Sequence, residues 1–167
     1  MLTLRKATAK DARTILSLVR ELAVYEREPR SVMARVSDLR RDGFGKSPKF
    51  RVILAEWDGR PAGMVVFFPY YSTWQGRSGI FVEDLIIREK FRGKGVGLAL
   101  MSQVARVAIA EGGSGMRWEV YSWNKEAIGF YRKIGARLRP QGRVMQMREK
   151  DLQRLARIKS TVQAVKH

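Results

Sequence analysis

Cysteine is absent, and the single histidine is the last residue, His167. Without thiols there are no disulfides, no thiolate metal sites and no cysteine nucleophile. One histidine supports neither a Ser-His-Asp triad nor a multi-histidine centre, so no metal is expected. Long hydrophobic runs are missing too: no uncharged apolar stretch approaches the ~18 residues that a membrane span needs. The opening residues, MLTLRKATAKDA, lack the apolar core and cleavage-like site of a secretory signal. A cytoplasmic soluble domain with no membrane partner is therefore expected. Acidic residues are scarce, 16 against 33 basic ones. Acid–base chemistry must come from carboxylates, tyrosine, lysine or the backbone.

The resulting net charge of +17 suggests either a polyanionic partner or a solvated basic surface. Arginines are scattered and form no block, so nucleic acid is not expected as a partner. The chain has 167 residues, of which 45% are hydrophobic, enough for one domain with a proper core.

Hydrophobic periodicity divides the chain into elements. LTLRKA opens as a strand. Thr8 and Asp11 have capping-box spacing, and Ile15, Leu18, Val19 and Leu22 then follow at i, i+3, i+4, i+7 in a helix running to about Tyr25. SDLRRDG (37–43) reads as a short helix stopped by Gly43. FRVILAEW (50–57) and PAGMVVFFPY (61–70) flank Asp58-Gly59, a strong hairpin signal. GIFVEDLII (79–87) is a further strand, apolar except for Glu83 and Asp84. A helix follows from about Gly95 to Ala110, then a strand MRWEVYS (116–122). NKEAIGFYRKIG (124–135) reads as a helix with Gly135 as its C-cap, RVMQMR (143–148) as a last strand, and 151–165 as a terminal helix. This order implies an α/β fold, a mixed sheet flanked by helices. The strands on either side of the 95–110 helix should be parallel neighbours.

FRGKGVGLALM (91–101) carries three glycines in five positions at a helix start. First-turn N–H groups lack intrahelical partners and the helix dipole is positive there. Glycines 93, 95 and 97 clear the approach, so Arg92, Gly93, Lys94, Gly95, Val96 and Gly97 form a candidate phosphate cradle. The spacing fits neither a Walker A loop nor a dinucleotide fingerprint.

Arg92-x-x-Gly95-x-Gly97 after an apolar strand resembles the pyrophosphate loop of the GCN5-related N-acetyltransferase (GNAT) superfamily. Asn124-x-x-Ala127-x-x-x-Tyr131-x-x-x-Gly135 resembles that family's later cofactor-binding helix. RELAVYE, DGFG, Trp74 and VEDL narrow the resemblance to the diamine (spermidine/spermine) and thialysine acetyltransferase branch. The resemblance implies one domain over 1–150 with a helical tail at 151–167. Its sheet would be mostly antiparallel, with six to seven strands and a splayed parallel pair. It further implies acetyl-CoA as co-substrate, a small-molecule amine as acceptor, and a homodimer.

By the same resemblance, Tyr131 protonates the departing thiolate and Glu83 takes the acceptor's proton through water. Leu85, Ile86 and Ile87 pair with the pantetheine amides, and the N–H of Leu85 or Ile86 bonds the oxyanion. Asn124 both caps its helix and touches the cofactor. Read from the strand alone, Asp84 lies on the face opposite Glu83 by alternation, unless a bulge intervenes, and is a candidate to hold the acceptor's cation. Tyr25, Glu26 and Glu28 form an acidic and aromatic patch, and Trp74 supplies a wall for an amine's methylenes. YSTW has Ser72 where the polyamine enzymes carry an acidic residue, and QGRVMQM lacks their tryptophan. The lost carboxylate favours a shorter amine or amino-acid acceptor, and the net charge of +17 points the same way. Two other activities fit the residues: acetylation of a protein amine, and a silent domain binding acetyl-CoA or nucleic acid. The presence of both Glu83 and Tyr131 argues against silence.

Overall fold

The computed structural model describes residues 1–139 and 144–157. Their contacts group into two units, Met1–Ala127 and Ile128–His167. The first contains five strands in the order β1-β2-β3-β4-β5. These are β1 (Leu2–Lys6), β2 (Arg51–Trp57), β3 (Arg60–Ser72), β4 (Arg77–Ile87) and β5 (Met116–Arg117). The first four pair antiparallel and β4 pairs with β5 in parallel, as the crossover argument requires. Asp58 and Gly59 both have positive φ, 49° and 72°, which is the primed turn that a tight β2–β3 hairpin needs.

Helix α1 (Ala12–Tyr25) covers one face of the sheet. Ile15, Leu18 and Leu22 pack against Val52, Leu54, Met64, Val66 and Ile86. Before it, Asp11 accepts from the Thr8 N–H at 2.8 Å and from Thr8 Oγ1 at 3.1 Å. Helix α2 (Val36–Phe44) follows. Gly43 does not stop it. The glycine is buried inside the last turn, where a Cβ would lie 2.7 Å from the Phe50 ring, so its missing side chain makes room for that ring. On the opposite face Val65, Phe67, Ile80 and Val82 are buried by alternation, and α3 (Val96–Ala110) packs there. Val96, Leu100, Met101, Val104 and Ala108 form its apolar stripe.

Two strand expectations fail. The strand expected over 116–122 is cut to its first two residues, which pair with Ile80 and Phe81. Just beyond them β4 carries a bulge, where the ladder's register shifts, and 118–122 take no strand structure. In the expected strand 143–148, residue 143 lies outside the described residues and 144–148 take no regular structure. The sheet thus has five strands among the described residues, against six to seven expected.

Helix α4 (Lys125–Lys133) begins in the first unit and ends in the second. Gly135 caps it at φ 93°, with the Ala136 N–H bonded to Tyr131 O at 3.0 Å. The second unit also contains α5 (Glu149–Ala156). The rest of the helix expected over 151–165 lies, from residue 158, outside the described residues. Among the described residues, no helix is long and apolar enough to cross a membrane.

Candidate active site

The bulge decides the geometry of the acidic pair. Phe67 pairs with Val82 and Val66 with Asp84, leaving Glu83 as the extra residue on β4. Asp84 therefore shares the face of Val66 and α1, while Val82 shares that of Phe67 and α3. Simple period-2 alternation is broken at this point. Glu83 is exposed and Asp84 half-buried. Burial pushes the Asp84 carboxyl up to about 6, and the charges of Glu83 and Glu26 add to the rise. Glu26, just after α1, is itself raised by burial and by Glu28.

The bulge also opens the β4 edge. The β5 side is bonded through Ser114 N–H to Ser78 O (2.7 Å), Ile80 N–H to Gly115 O (3.0 Å) and the two-residue ladder. Further along, the Arg88 N–H donates to Ala62 O on β3 at 2.9 Å. Backbone polar groups alternate sides along a strand, so Leu85 and Ile87 turn theirs to the open side and Ile86 turns its own to β3. Of the three residues expected to face the gap, two do so with their main chain.

Gly93 and Gly95 take φ of 71° and 80°, a region that a Cβ disfavours, and both are exposed with open space where a Cβ would sit. Gly95 is the N-cap of α3, and Val96, buried, and Gly97 begin its first turn. This is a bare, positively polarised main chain that fits a diphosphate. Its two basic side chains lean elsewhere. Arg92 donates from Nε to Ile87 O at 3.3 Å and lies 4.7 Å from the Tyr25 ring centroid. Lys94 Nζ stands 5.5 Å over Trp57, which stacks on Phe91.

The end of α1 meets the segment that precedes α4. Asn124 Oδ1 accepts from Tyr25 Oη and from the Ala127 N–H, each at 3.1 Å, so the asparagine does cap α4. Arg27 has φ 65°, unusual for a non-glycine, and its guanidinium lies 4.8 Å over Trp123. Tyr121 stacks on Trp123 and donates to Glu28 at 3.3 Å. Tyr121 and Trp123 escaped the sequence reading, although Y-x-W directly before Asn124 was a visible aromatic signal.

Trp74 does not join this cluster. Trp74 sits at the tip of the β3–β4 hairpin, 98% exposed. Ser72 lies six positions along β3 from Val66, the partner of Asp84, which at strand rise is about 20 Å. Tyr131 lies on α4 in the second unit, its ring tilted against Phe130 at 5.3 Å. An open cleft along Arg13, Ser17 and Arg20 of α1 contains none of these residues.

Residues 14–136 match the acetyltransferase (GNAT) family. This chain belongs to that family. It is an N-acetyltransferase, and the family uses acetyl-CoA as co-substrate. Among curated proteins it is 38% identical to thialysine N-epsilon-acetyltransferase of Sus scrofa, covering 80% of this chain and 83% of that protein. It is 35% identical to L-ornithine N5-acetyltransferase of Arabidopsis thaliana, over 58% of this chain and 42% of that one. Among solved structures, an integron cassette protein from the mobile metagenome of V. cholerae superposes with a TM-score of 0.78. That match is 23% identical over 93% of this chain and 98% of the other, so it bears on the GNAT fold alone.

Proposed function

We propose that this acetyltransferase moves acetyl from acetyl-CoA to a terminal primary amine of a short diamine or diamino acid, by direct attack with both substrates bound. The gathering of Glu26, Glu83 and Asp84 beside the open β4 edge carries this reading. In a chain of net charge +17 these carboxylates attract one alkylammonium locally, while the wider field repels a long polycation. Relatives named for acetylating thialysine at Nε and ornithine at N5 support an acceptor of this size.

An alkylammonium near pKa 10.4 must lose a proton before its nitrogen attacks. Glu83 takes that proton through water, while Asp84 and Glu26 hold the acceptor's remaining charge. One observation favours a second reading in which the two β4 carboxylates exchange roles: a carboxyl held near 6 is better matched to proton transfer at neutral pH. Acetyl-CoA supplies an activated thioester. The Leu85 N–H, on the open side of β4, bonds the acetyl carbonyl oxygen, and the glycine loop holds the diphosphate. The Tyr131 hydroxyl donates its proton to the leaving sulfur, and Asn124 orients the start of its helix.

The catalytic domain spans 1–150, and a tail follows over 151–167, of which 158–167 lie outside the described residues. The family match, residues 14–136, falls within that domain. The enzyme works in the cytoplasm as a homodimer, with neither nucleic acid nor membrane as partner. Exposed Tyr71 and Trp74 on the hairpin offer an apolar surface for self-association. An acceptor screen with acetyl-CoA, comparing short diamines, ornithine, lysine analogues, spermidine and peptides, tests the proposal. Highest kcat/KM on a short diamine or diamino acid is expected, and a clear preference for peptides or spermidine would sink it.

A further inference from the structure

Tyr25, the last residue of α1, touches both segments that carry the family's cofactor motifs. Its ring supports the Arg92 guanidinium at 4.7 Å, and Arg92 in turn bonds Ile87 O beside the glycine loop. Its hydroxyl donates at 3.1 Å to Asn124 Oδ1, which also accepts the Ala127 N–H at the start of α4. Trp123 lies beside it, tilted, with the ring centroids 6.0 Å apart. Both polar resources of the tyrosine are thus engaged: the π face by a cation and the hydroxyl by an amide oxygen. Asn124 is 8% exposed, so an acceptor lost there is not replaced freely by water.

We infer that Tyr25 is a positioning residue that ties the glycine-loop strand end to the start of α4, and so sets the affinity for acetyl-CoA. The residue at the acceptor end of α1 acts on the cofactor side through Arg92 and Asn124. The inference rests on the acetyltransferase reading of the site, and it concerns the bond network and not the choice of amine.

Calorimetric titration of the full chain with acetyl-CoA, without acceptor, tests it together with initial-rate kinetics. Tyr25→Phe keeps the ring and removes only the hydroxyl, so it should fold as the wild type and bind acetyl-CoA about fivefold more weakly, the effect of one hydrogen bond. Any rise in KM for the amine should be smaller than the loss of acetyl-CoA affinity. Asn124→Ala should weaken binding at least as much, and Tyr25→Phe added to Asn124→Ala should weaken it no further, because the bond is already gone. Tyr25→Leu, which also loses the Arg92 contact, should bind more weakly than Tyr25→Phe. Wild-type acetyl-CoA affinity in Tyr25→Phe would overturn the inference. So would a raised amine KM with unchanged cofactor affinity, or independent effects in the double variant. Failure of the wild-type protein itself to bind acetyl-CoA would overturn the proposed function along with it, a result distinct from the others.

Discussion

Arg88 grips both carboxylate oxygens of Glu21, Nε to Oε2 at 2.9 Å and Nη2 to Oε1 at 2.6 Å, while its Nη1 donates to Pro61 O at 3.0 Å. One side chain thereby fastens α1 and the start of β3 to the residue that leads from β4 into the glycine loop. Arg88→Met should destabilise the fold by about 0.5–1.5 kcal/mol, a modest figure because the pair is partly exposed. Arg88 lowers the Glu21 pKa, so this stability is present above the ordinary glutamate value and is lost as pH falls through the lowered one. Thermal melts should show a wide gap between wild type and Arg88→Met at pH 7 that narrows below about pH 4. A gap independent of pH would contradict the ion pair's role.

Asp84 works in the opposite sense. Its folded pKa of about 6 lies above the ordinary 3.8, so ionising it costs stability that accumulates as pH rises from 3.8 to 6. Asp84→Asn should leave stability nearly unchanged at pH 4 and raise it by about 2 kcal/mol at pH 7.5. Equal melting points at pH 7.5 would show that the carboxyl is not strained.

The same substitution separates the two β4 carboxylates in catalysis. If Glu83 is the base, Glu83→Gln should lower kcat by about 10²-fold or more, while Asp84→Asn chiefly raises the amine KM. The reverse pattern, with the acid limb of the pH–rate profile near 6 disappearing in Asp84→Asn, would assign the proton to Asp84.

Gly95→Glu sets a side chain at φ 80° and a negative charge in front of the bare main chain. Acetyl-CoA binding should fall by about 10²-fold or more, from backbone strain and charge repulsion together. Unchanged affinity by calorimetry would mean that the diphosphate sits elsewhere.

Tyr131→Phe should lower kcat by about 10–10³-fold with little change in the KM for acetyl-CoA, as expected for a proton donor that acts in the transition state. A thioester with a better leaving group should recover part of the loss. A wild-type rate in steady-state kinetics would remove Tyr131 from the chemistry.

Periodicity and turn chemistry made much of the first unit readable. The i, i+3, i+4 pattern from Ile15 to Leu22 marks α1 because one face must be buried, and Asp58-Gly59 marks its hairpin because few residues tolerate positive φ. Gly43 was misread because a missing side chain means either a stop or a close neighbour, and only Phe50, seven residues on, distinguishes them. The strand expected to Ser122 failed because pairing belongs to two strands at once. Nothing in MRWEVYS reports the bulge on β4 or where the pairing stops.

By itself, the sequence determined which chemistry was available, since it contains no thiol and no internal histidine, and where a main chain stands bare ahead of a helix. It also carried the two motifs whose spacing identified the family. Tertiary structure alone decided how the acidic pair is used. The bulge at Glu83 shifts the strand register by one residue, so Asp84 turns toward α1 and the carboxylate of Glu26. Only the fold, likewise, joins Tyr25 to Asn124, 99 positions apart, and keeps Trp74 away from both. Local pattern reports periodicity and charge, whereas register, burial and long-range hydrogen bonds exist only once distant segments meet.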